Sequence, residues 1–274
     1  MATLFQRTYA LTMQDTQVSE LRVAFVIKKS LKPEPNTAEI RVWNLSAETR
    51  KRIKDRHTPV KLTAGYAENA GLLFSGDARF ITHQQTGPDW ISKIVCGDGE
   101  RSYSTDRAVL SFGPGTPVAA VMGAVADTMQ GVSSGNARQA LAGITGVFKN
   151  GFAAADHSFK TLDQLARSNG LNLSIQDGAL SLLADGATEP GIATLLTPDT
   201  GLIGSPEVAS PEKKGDPLRI KARSLLQPSI RPGRAVELRS QAINGLFRAE
   251  VVEHKGDTHG AEWYSEIELR PVKL

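Results

Sequence analysis

Two histidines and an aspartate lie within six residues near the end of the chain, where Asp257 stands between His254 and His259. Imidazole and carboxylate groups this close together are able to ligate a metal ion. The adjacent Gly256-Asp257 pair and the lysine beside it, Lys255, are more typical of a polar hairpin tip. A turn is therefore the favoured interpretation of this segment, with a metal site as the alternative.

A second candidate for chemistry is the carboxylate pair Asp98 and Glu100, separated by a single glycine. Paired carboxylates are what a glycosidase or an aspartic-type site requires. The pair follows directly on a predicted strand end, which favours a turn, and no second acidic group elsewhere matches it. Neither residue is therefore predicted to be catalytic.

The common catalytic and cofactor motifs are absent from the sequence. There is no nucleophile elbow, no P-loop, no His-Glu-x-x-His and no Cys-x-x-Cys pattern, and Gly143–Gly146 has no preceding strand as a dinucleotide fingerprint would. The sequence predicts no enzyme activity, no cofactor and no metal ion.

Composition points to a folded chain of modest charge. Of 274 residues, 40% are hydrophobic and 22% charged, with a formal net charge of +3, so binding of nucleic acid along the whole chain is weakly supported. The single cysteine, Cys96, excludes an internal disulfide and is predicted to be a buried apolar residue. The first residues lack a signal-peptide pattern and no apolar run reaches membrane-spanning length, so folding in a cytoplasm is expected.

The elements that position these residues are mainly strands. Residues 1–105 are predicted to form a small barrel or sandwich with one helix. Its predicted strands are Phe5–Met13, Leu21–Lys28, Thr37–Leu45, Val60–Tyr66, Leu72–His83 and Asp89–Cys96.

The segment Asn36–Arg50 reads as a strand that continues into a helix capped by Ser46. The helix and the residues after it are strongly basic, since six of the seven charged residues in the range 50–61 are lysine or arginine. The favoured interpretation is a solvated helix face, and a contact surface for an acidic partner is the alternative.

Residues 106–198 are predicted to be α+β. One helix is expected to begin with Thr116 as its cap and Pro117 in its first turn, and a second is expected over Leu162–Asn169 with Thr161 as its cap. The Asp177-Gly178 pair between two alternating runs predicts a tight hairpin.

Loops are predicted within and after this α+β segment, and a further set of strands follows them. Residues 131–157 are expected to be loops with a short helix, and residues 185–216 a crossing rich in proline and glycine. The strands expected in the C-terminal β domain, 199–274, are Leu218–Leu225, Ala235–Arg239, Gly245–His254 and Glu262–Arg270.

Three separated segments of the chain resemble the baseplate hub proteins of contractile-tailed bacteriophages. The first is Asn36–Arg50, the second runs from Ser158 to Leu180, and the third runs from Thr200 to Tyr264. Their order and spacing match over nearly the whole chain, and that order is more specific than any one of the motifs.

The resemblance implies a mainly β fold in which two tube-like β-barrel domains flank a small α+β domain. It implies a homotrimer that joins the sixfold tail tube to the threefold central spike, contacts other baseplate proteins and lets DNA pass transiently through its channel. The expected location is the virion tail, after assembly in the host cytoplasm and without membrane insertion.

Residues that would contact those partners are predicted from charge and loop position. They are Arg50, Lys51, Lys54, Arg56, Lys213, Lys214, His254, Lys255 and His259.

Two alternatives remain open. One is a tail-associated peptidoglycan hydrolase, for which Asp98, Glu100 and His157 are the residues to test. The other is a sixfold tail-tube or tail-completion protein.

Overall fold

The computed structural model describes residues 6–53, 57–209 and 218–272. The strands in chain order are β1 Arg7–Met13, β2 Thr16–Val18, β3 Val23–Ser30, β4 Thr37–Trp43, β5 Pro59–Tyr66, β6 Gly71–Thr86, β7 Asp89–Gly97, β8 Arg107–Phe112, β9 Thr116–Pro117, β10 Val147–Phe148, β11 Phe152–His157, β12 Leu171–Gln176, β13 Ala179–Ala184, β14 Thr194–Leu196, β15 Leu202–Ala209, β16 Arg219–Leu225, β17 Ala235–Arg239, β18 Asn244–Asp257 and β19 Trp263–Pro271. The helices are α1 Ala47–Arg52, α2 Glu100–Ser104, α3 Val118–Ala126, α4 Ala137–Ala142 and α5 Ser158–Ser168.

The chain forms two compact units. The first comprises Met1–Ser30, Asn36–Gly97 and Gly186–Leu274, and the second comprises Leu31–Pro35 with Asp98–Asp185. The fold is mainly β with an α+β insertion in the sequence, as predicted. The three-domain division at 105/106 and 198/199 stays a prediction.

One large sheet dominates the first unit, and its strand order is β15-β16-β19-β18-β3-β4-β7-β6-β5-β1-β2. In addition, β17 pairs antiparallel with the beginning of β18, and β14 pairs parallel with β17. The alternation of apolar and polar residues along a strand decides which of its side chains face the core. In β4, for example, Ala38, Ile40 and Val42 face the core, and Glu39 and Arg41 face outward.

Two separate apolar cores lie against this sheet. The first core is built mainly from β1–β7, yet it also contains Leu226 and Trp263 from the C-terminal region. The second core is formed by residues 196–269, with fully buried side chains such as Val236, Leu238 and Leu269. Cys96 belongs to the first core and is fully buried, as predicted, and burial raises the pKa of its thiol to about 12.

The two halves of the first unit repeat the same strand arrangement. In each half a short strand, β5 or β17, pairs with the beginning of a long strand, β6 or β18, and the long strand forms a hairpin with β7 or β19. Each long strand carries a one-residue bulge, at Arg79 in β6 and at Glu250 in β18. Because bulges bend and twist a strand at a defined place, matching bulges indicate equivalent curvature.

A histidine–serine pair marks the same position in both halves. Four residues after each bulge, a histidine lies opposite a serine of the neighbouring strand. His83 Nδ1 is 2.9 Å from Ser92 Oγ, and His254 Nδ1 is 2.8 Å from Ser265 Oγ. The chain therefore contains an internal structural duplication that relates β4–β7 to β16–β19.

The second unit packs helices α3, α4 and α5 with the hairpin β12–β13 around its own core. The predicted Asp177-Gly178 turn is confirmed, since both residues have positive φ, at 53° and 77°. The two helix caps predicted in this unit, Thr116 and Thr161, are wrong. Thr116 Oγ1 donates back to the Gly113 carbonyl and the helix begins at Val118, while Thr161 lies inside α5, which begins at Ser158.

The predicted crossing over 185–216 contains two strands, β14 and β15, within its described part. Residues 131–157 contain β10 and β11 as well as the expected short helix α4. No helix in the described residues is long and apolar enough to cross a membrane.

Candidate interaction surface

The predicted hairpin tip at 254–259 begins later than expected. Strand β18 continues to Asp257, so the turn lies at residues 258–262. The side chain of Arg7, in β1, binds the backbone of this turn. One guanidinium nitrogen donates to the Gly260 carbonyl at 2.7 Å, and the other donates to the Ala261 carbonyl at 3.3 Å. The turn is therefore attached to the N-terminal half of the same unit.

A second attachment joins the same turn to β3. Arg22 forms an ion pair with Asp257 at 2.7 Å, and Val23 exchanges hydrogen bonds with Thr258. Burial is the largest single influence on the Asp257 carboxyl and raises its pKa, but the hydrogen bond and charge of Arg22 and the backbone N–H groups of His259 and Gly260 together lower the pKa below its usual value. Asp257 therefore acts as a structural anion, held within the fold.

Trp263 fixes the start of β19 in the first core. Its indole Nε1–H donates to the Gly65 carbonyl at 3.2 Å, and its ring makes an edge-on contact with Phe25, with centroids 5.6 Å apart. The guanidinium of Arg7 lies 5.4 Å from the ring centroid. These contacts unite β1, β3, β5 and β19.

Lys255 lies between two carboxylates on the outer face of the sheet. Glu253 and Glu266 stand directly opposite each other on β18 and β19, and Lys255 Nζ is 2.8 Å from one and 2.9 Å from the other. The hydrogen bonds to Glu253 and then Glu266 raise the pKa of Lys255. Its charge is thus already matched within the chain.

Replacing Lys255 by methionine leaves two facing carboxylates without their shared cation. We expect the free energy of unfolding at pH 7 to fall by about 1–2 kcal/mol. The raised pKa means that this stabilisation is complete below the usual lysine value of 10.5 and is lost as the pH rises through the higher folded-state pKa. Urea unfolding at pH 7 and at pH 11 measures both effects.

Lys93→Met is the matched control for this experiment, because Lys93 also bridges to a strand carboxylate, Glu39, at 2.9 Å. Arg41 remains paired to Glu39 at 2.6 Å when Lys93 is removed. We therefore expect a smaller loss for Lys93→Met, and equal losses in the two variants would contradict the account of Lys255.

The two histidines of this hairpin differ completely in exposure. His254 is 1% exposed and faces the core side of β18, whereas His259 is exposed in the turn. Among the residues that the structure describes, no group of three or more His, Cys, Asp or Glu side chains is placed to hold a metal ion. Of this pair, only His259 offers its ring to solvent.

The basic helix is confirmed as α1, capped by Ser46, whose Oγ accepts the Thr49 N–H at 3.1 Å. Arg50 lies over the Trp90 ring at 4.1 Å and donates to the Leu45 carbonyl, so it binds the helix to the sheet. Lys51 is exposed. The other predicted contacts, Lys54, Arg56, Lys213 and Lys214, lie outside the described residues.

The outer face of the sheet around β16, β18 and β19 carries alternating charge. A groove of about 490 Å³ lies on this face, lined by residues that include Lys28, Lys221, Glu253 and Glu268. Arg219 pairs with Glu268 at 3.5 Å across β16 and β19. The face is polar, as expected of an outward-facing sheet surface.

Asp98, the first residue of the hydrolase alternative, has a structural role in the second unit. Asp98 is fully buried, and its two carboxylate oxygens accept the backbone N–H groups of Asp177 and Gly178 at the tight turn. His157 is the N-cap residue of α5. A carboxylate occupied in this way is not positioned to act as a catalytic acid or base.

Removing the Asp98 carboxylate should destabilise this turn. We expect Asp98→Ala to lower the free energy of unfolding of the second unit by about 2–3 kcal/mol, because two backbone N–H groups lose their acceptor. Hydrogen exchange at the amides of Asp177 and Gly178, compared with Glu100→Gln as a control, measures the local effect. Unchanged protection of both amides in Asp98→Ala would contradict it.

The contacts made by Arg7 and Arg22 were not found from the sequence. Neither arginine lies in a motif, and their partners are 235 or more residues away in the chain. Trp263, over which Arg7 lies, falls within the third segment of the resemblance.

Solved structures with a similar fold are tail proteins and related assemblies. The tail protein of Neisseria meningitidis MC58 matches with a TM-score of 0.66 and 10% identity, covering 97% of each chain. The 43 kDa tail protein of prophage MuSo2 from Shewanella oneidensis matches with a TM-score of 0.67 and 8% identity, covering 97% of this chain and 98% of the other.

A third similar structure is the E. coli c3393 protein, a component of the type VI secretion system described as structurally similar to the T4 tail proteins gp27 and gp5. It matches with a TM-score of 0.64 and 9% identity over 96% of this chain and 77% of the other. No protein-family model matches the sequence, and no curated protein matches it. At these identities the similarity shows a common fold of tail and hub-like proteins.

Proposed function

We propose that this chain is the structural hub of a contractile phage-type tail. In this role it is a homotrimeric adaptor that joins the sixfold tail tube to the threefold central spike. The coarser part of this role, a tail or hub-like protein, rests on the fold that it has in common with tail proteins. The finer part rests on the duplication within the chain.

The duplication is the observation that carries the proposal. Each chain supplies two equivalent sets of strands, one from β4–β7 and one from β16–β19, with matching bulges and matching His–Ser pairs. Three chains therefore supply six equivalent sets. A ring built in this way has exact threefold symmetry, and its six equivalent sets of strands give it approximate sixfold symmetry as well.

The proposed partners are the tail tube protein, the central spike protein, other baseplate proteins and further copies of the chain, with DNA only in passage. Exposed Lys51 on α1 and exposed His259 in the β18–β19 turn are the described residues best placed to meet them. Arg50, His254 and Lys255 are already engaged within the chain. The proposed location is the virion tail.

The experiment is to measure the mass of the purified protein in solution and the order of any ring by negative-stain microscopy. A threefold particle with six similar lobes supports the hub. A ring of six chains supports a tail-tube or tail-completion protein instead. Clearing of peptidoglycan that is lost in Glu100→Gln would support the hydrolase and contradict a purely structural role.

A further inference from the structure

A pocket of about 390 Å³ lies beside the β18–β19 turn in the first unit. Its volume is within the range of about 300–1,000 Å³ that is typical of binding sites in proteins. The wall combines two arginines with three aromatic side chains, which are Arg7, Arg223, Tyr66, Trp263 and Tyr264. Guanidinium groups beside aromatic rings form a surface that attracts anions and also buries apolar groups.

Arg223 of β16 brings a positive charge that is not neutralised by the carboxylate nearest to it in register. Arg223 lies directly opposite Glu266 of β19, but Glu266 binds Lys255, whose Nζ is 2.9 Å away. The exposed Arg223 guanidinium instead lies over the Tyr264 ring, 3.6 Å from its centroid. It forms no ion pair or hydrogen bond with the residues that the structure describes, so its N–H groups are available to a ligand.

Tyr66 of β5 adds a hydroxyl group to the same pocket. The residue is only 6% exposed, and its hydroxyl forms no hydrogen bond with any described residue. Burial raises the pKa of this hydroxyl, and the charge of Arg7 opposes the shift, so the Arg7 guanidinium lies near it. Because a buried phenol usually has a hydrogen-bond partner, this hydroxyl is a donor suited to a group that enters the pocket.

The pocket has a small excess of positive charge. Arg7 binds backbone carbonyls of the turn and no carboxylate among the described residues, so it keeps its charge, as Arg223 does. Exposed Glu262 is the acidic side chain of the lining. Two positive charges against one negative charge leave a single positive charge. One carboxylate matches this excess, whereas the closely spaced phosphates of a nucleic acid would also be repelled by Glu262.

We propose that this pocket binds an acidic side chain of a partner protein, in a segment where an apolar residue lies next to the carboxylate. Arg223 and Tyr66 donate to the carboxylate, since a guanidinium can form two parallel hydrogen bonds with its oxygens. Ile203, which is 37% exposed, and the Tyr264 ring contact the apolar neighbour. This binding site goes beyond the hub role and does not depend on the number of chains in a ring.

A protein segment is the favoured occupant because the pocket continues into a second depression. Ile203 and Arg223 also line the 490 Å³ groove on the outer face of the sheet. The groove lies where β15 shifts its register with β16, between Ile203 and Glu207. A small free acid fills only the pocket, whereas an extended segment with its carboxylate at Arg223 can continue along the groove.

The first test compares two blocked peptides that differ only in charge, acetyl-Phe-Glu-Leu-amide and acetyl-Phe-Gln-Leu-amide. We expect the parent protein to bind the glutamate peptide about tenfold or more tightly than the glutamine peptide in isothermal titration calorimetry at low salt. Arg223→Met should remove this difference. Equal affinity of the parent for the two peptides, or no binding of either at millimolar concentration, would overturn the proposal.

Two further variants separate the pocket from general attraction between charges. Lys221→Met removes an exposed cation of the same strand that lines the groove and not the pocket. It should weaken binding of the glutamate peptide by no more than about twofold, and a loss equal to that of Arg223→Met would contradict a specific site. Tyr66→Phe keeps the ring and should weaken binding about threefold. Thermal melting checks that each variant is folded.

Competing ligands test the assignment to a protein segment. Acetate that binds as tightly as the glutamate peptide would overturn it, and so would a thymidine decanucleotide that binds more tightly and requires Arg223. The outcomes also separate the pocket from the hub. A monomer that binds the glutamate peptide through Arg223 supports the pocket and contradicts the hub, whereas a threefold particle that binds neither peptide overturns the pocket and leaves the hub standing.

Discussion

Trp263→Ala is expected to lower the free energy of unfolding of the first unit by about 3–5 kcal/mol. The indole is 2% exposed and belongs to the N-terminal core, although it lies in the last strand of the chain. The substitution removes the contact with Phe25, the hydrogen bond to Gly65 and the surface beneath Arg7 together. Urea unfolding followed by far-ultraviolet circular dichroism measures the loss.

Two further variants show whether packing or the hydrogen bond dominates. Trp263→Phe keeps an aromatic ring and loses the indole N–H, so we expect a smaller loss of about 1–2 kcal/mol. Trp43→Ala removes a tryptophan that is only partly buried, beside Arg22 at 4.3 Å, and should cost about 1 kcal/mol. A loss for Trp263→Ala no larger than that for Trp43→Ala would contradict its role in joining the halves.

The position of Trp263 also bears on the predicted domain boundary at residue 105. A segment ending at residue 105 lacks Trp263 and Leu226, which belong to its core, and lacks β18, which pairs with β3. Both absences expose apolar surface and leave backbone groups of β3 without partners. The N-terminal barrel predicted over residues 1–105 would therefore need residues far along the chain to complete its core.

Most strands of the first unit could be predicted because their two faces differ. In β4 and β16 the residue types alternate over most of the strand, as in Glu39-Ile40-Arg41-Val42 and Arg219-Ile220-Lys221-Ala222, and every second residue is buried. Strand β15 was missed because Gly204, Ser205 and Pro206 interrupt the alternation at its bulge. Strand β11 was missed because its run of alanines carries little polar contrast.

The duplication could not be predicted from the sequence, because the two halves are similar in how their strands pair and not in their residue types. Little more than the His–Ser pairs and similar apolar positions, such as Val60 and Val236, is common to the two halves. Bulges are visible only once strands are paired, because a single extra residue has no sequence signature of its own. The candidate site was limited in the same way, since the pairing of Lys255 with Glu266 depends on the alignment of β18 with β19.

Acid is expected to destabilise the protein partly through one buried histidine, His254. The pKa of His254 is lowered to about 3, mainly by burial and secondly by the charge of Lys29. A hydrogen bond with the backbone of Ile230 opposes this shift. Between the usual pKa of 6.5 and pH 3 the unfolded chain binds a proton that the folded chain does not. Stability therefore falls as the pH is lowered through this window, by up to about 1.4 kcal/mol per pH unit from this group.

Replacing His254 by glutamine isolates this contribution, because an amide keeps a hydrogen-bonding group for Ser265 and takes up no proton. We expect His254→Gln to be less stable than the parent at pH 7 and to lose less stability between pH 6.5 and pH 4. His259→Gln, which changes the exposed histidine of the same hairpin, should follow the slope of the parent. Parallel pH profiles for the parent and His254→Gln would show that protonation of this buried ring does not drive acid unfolding.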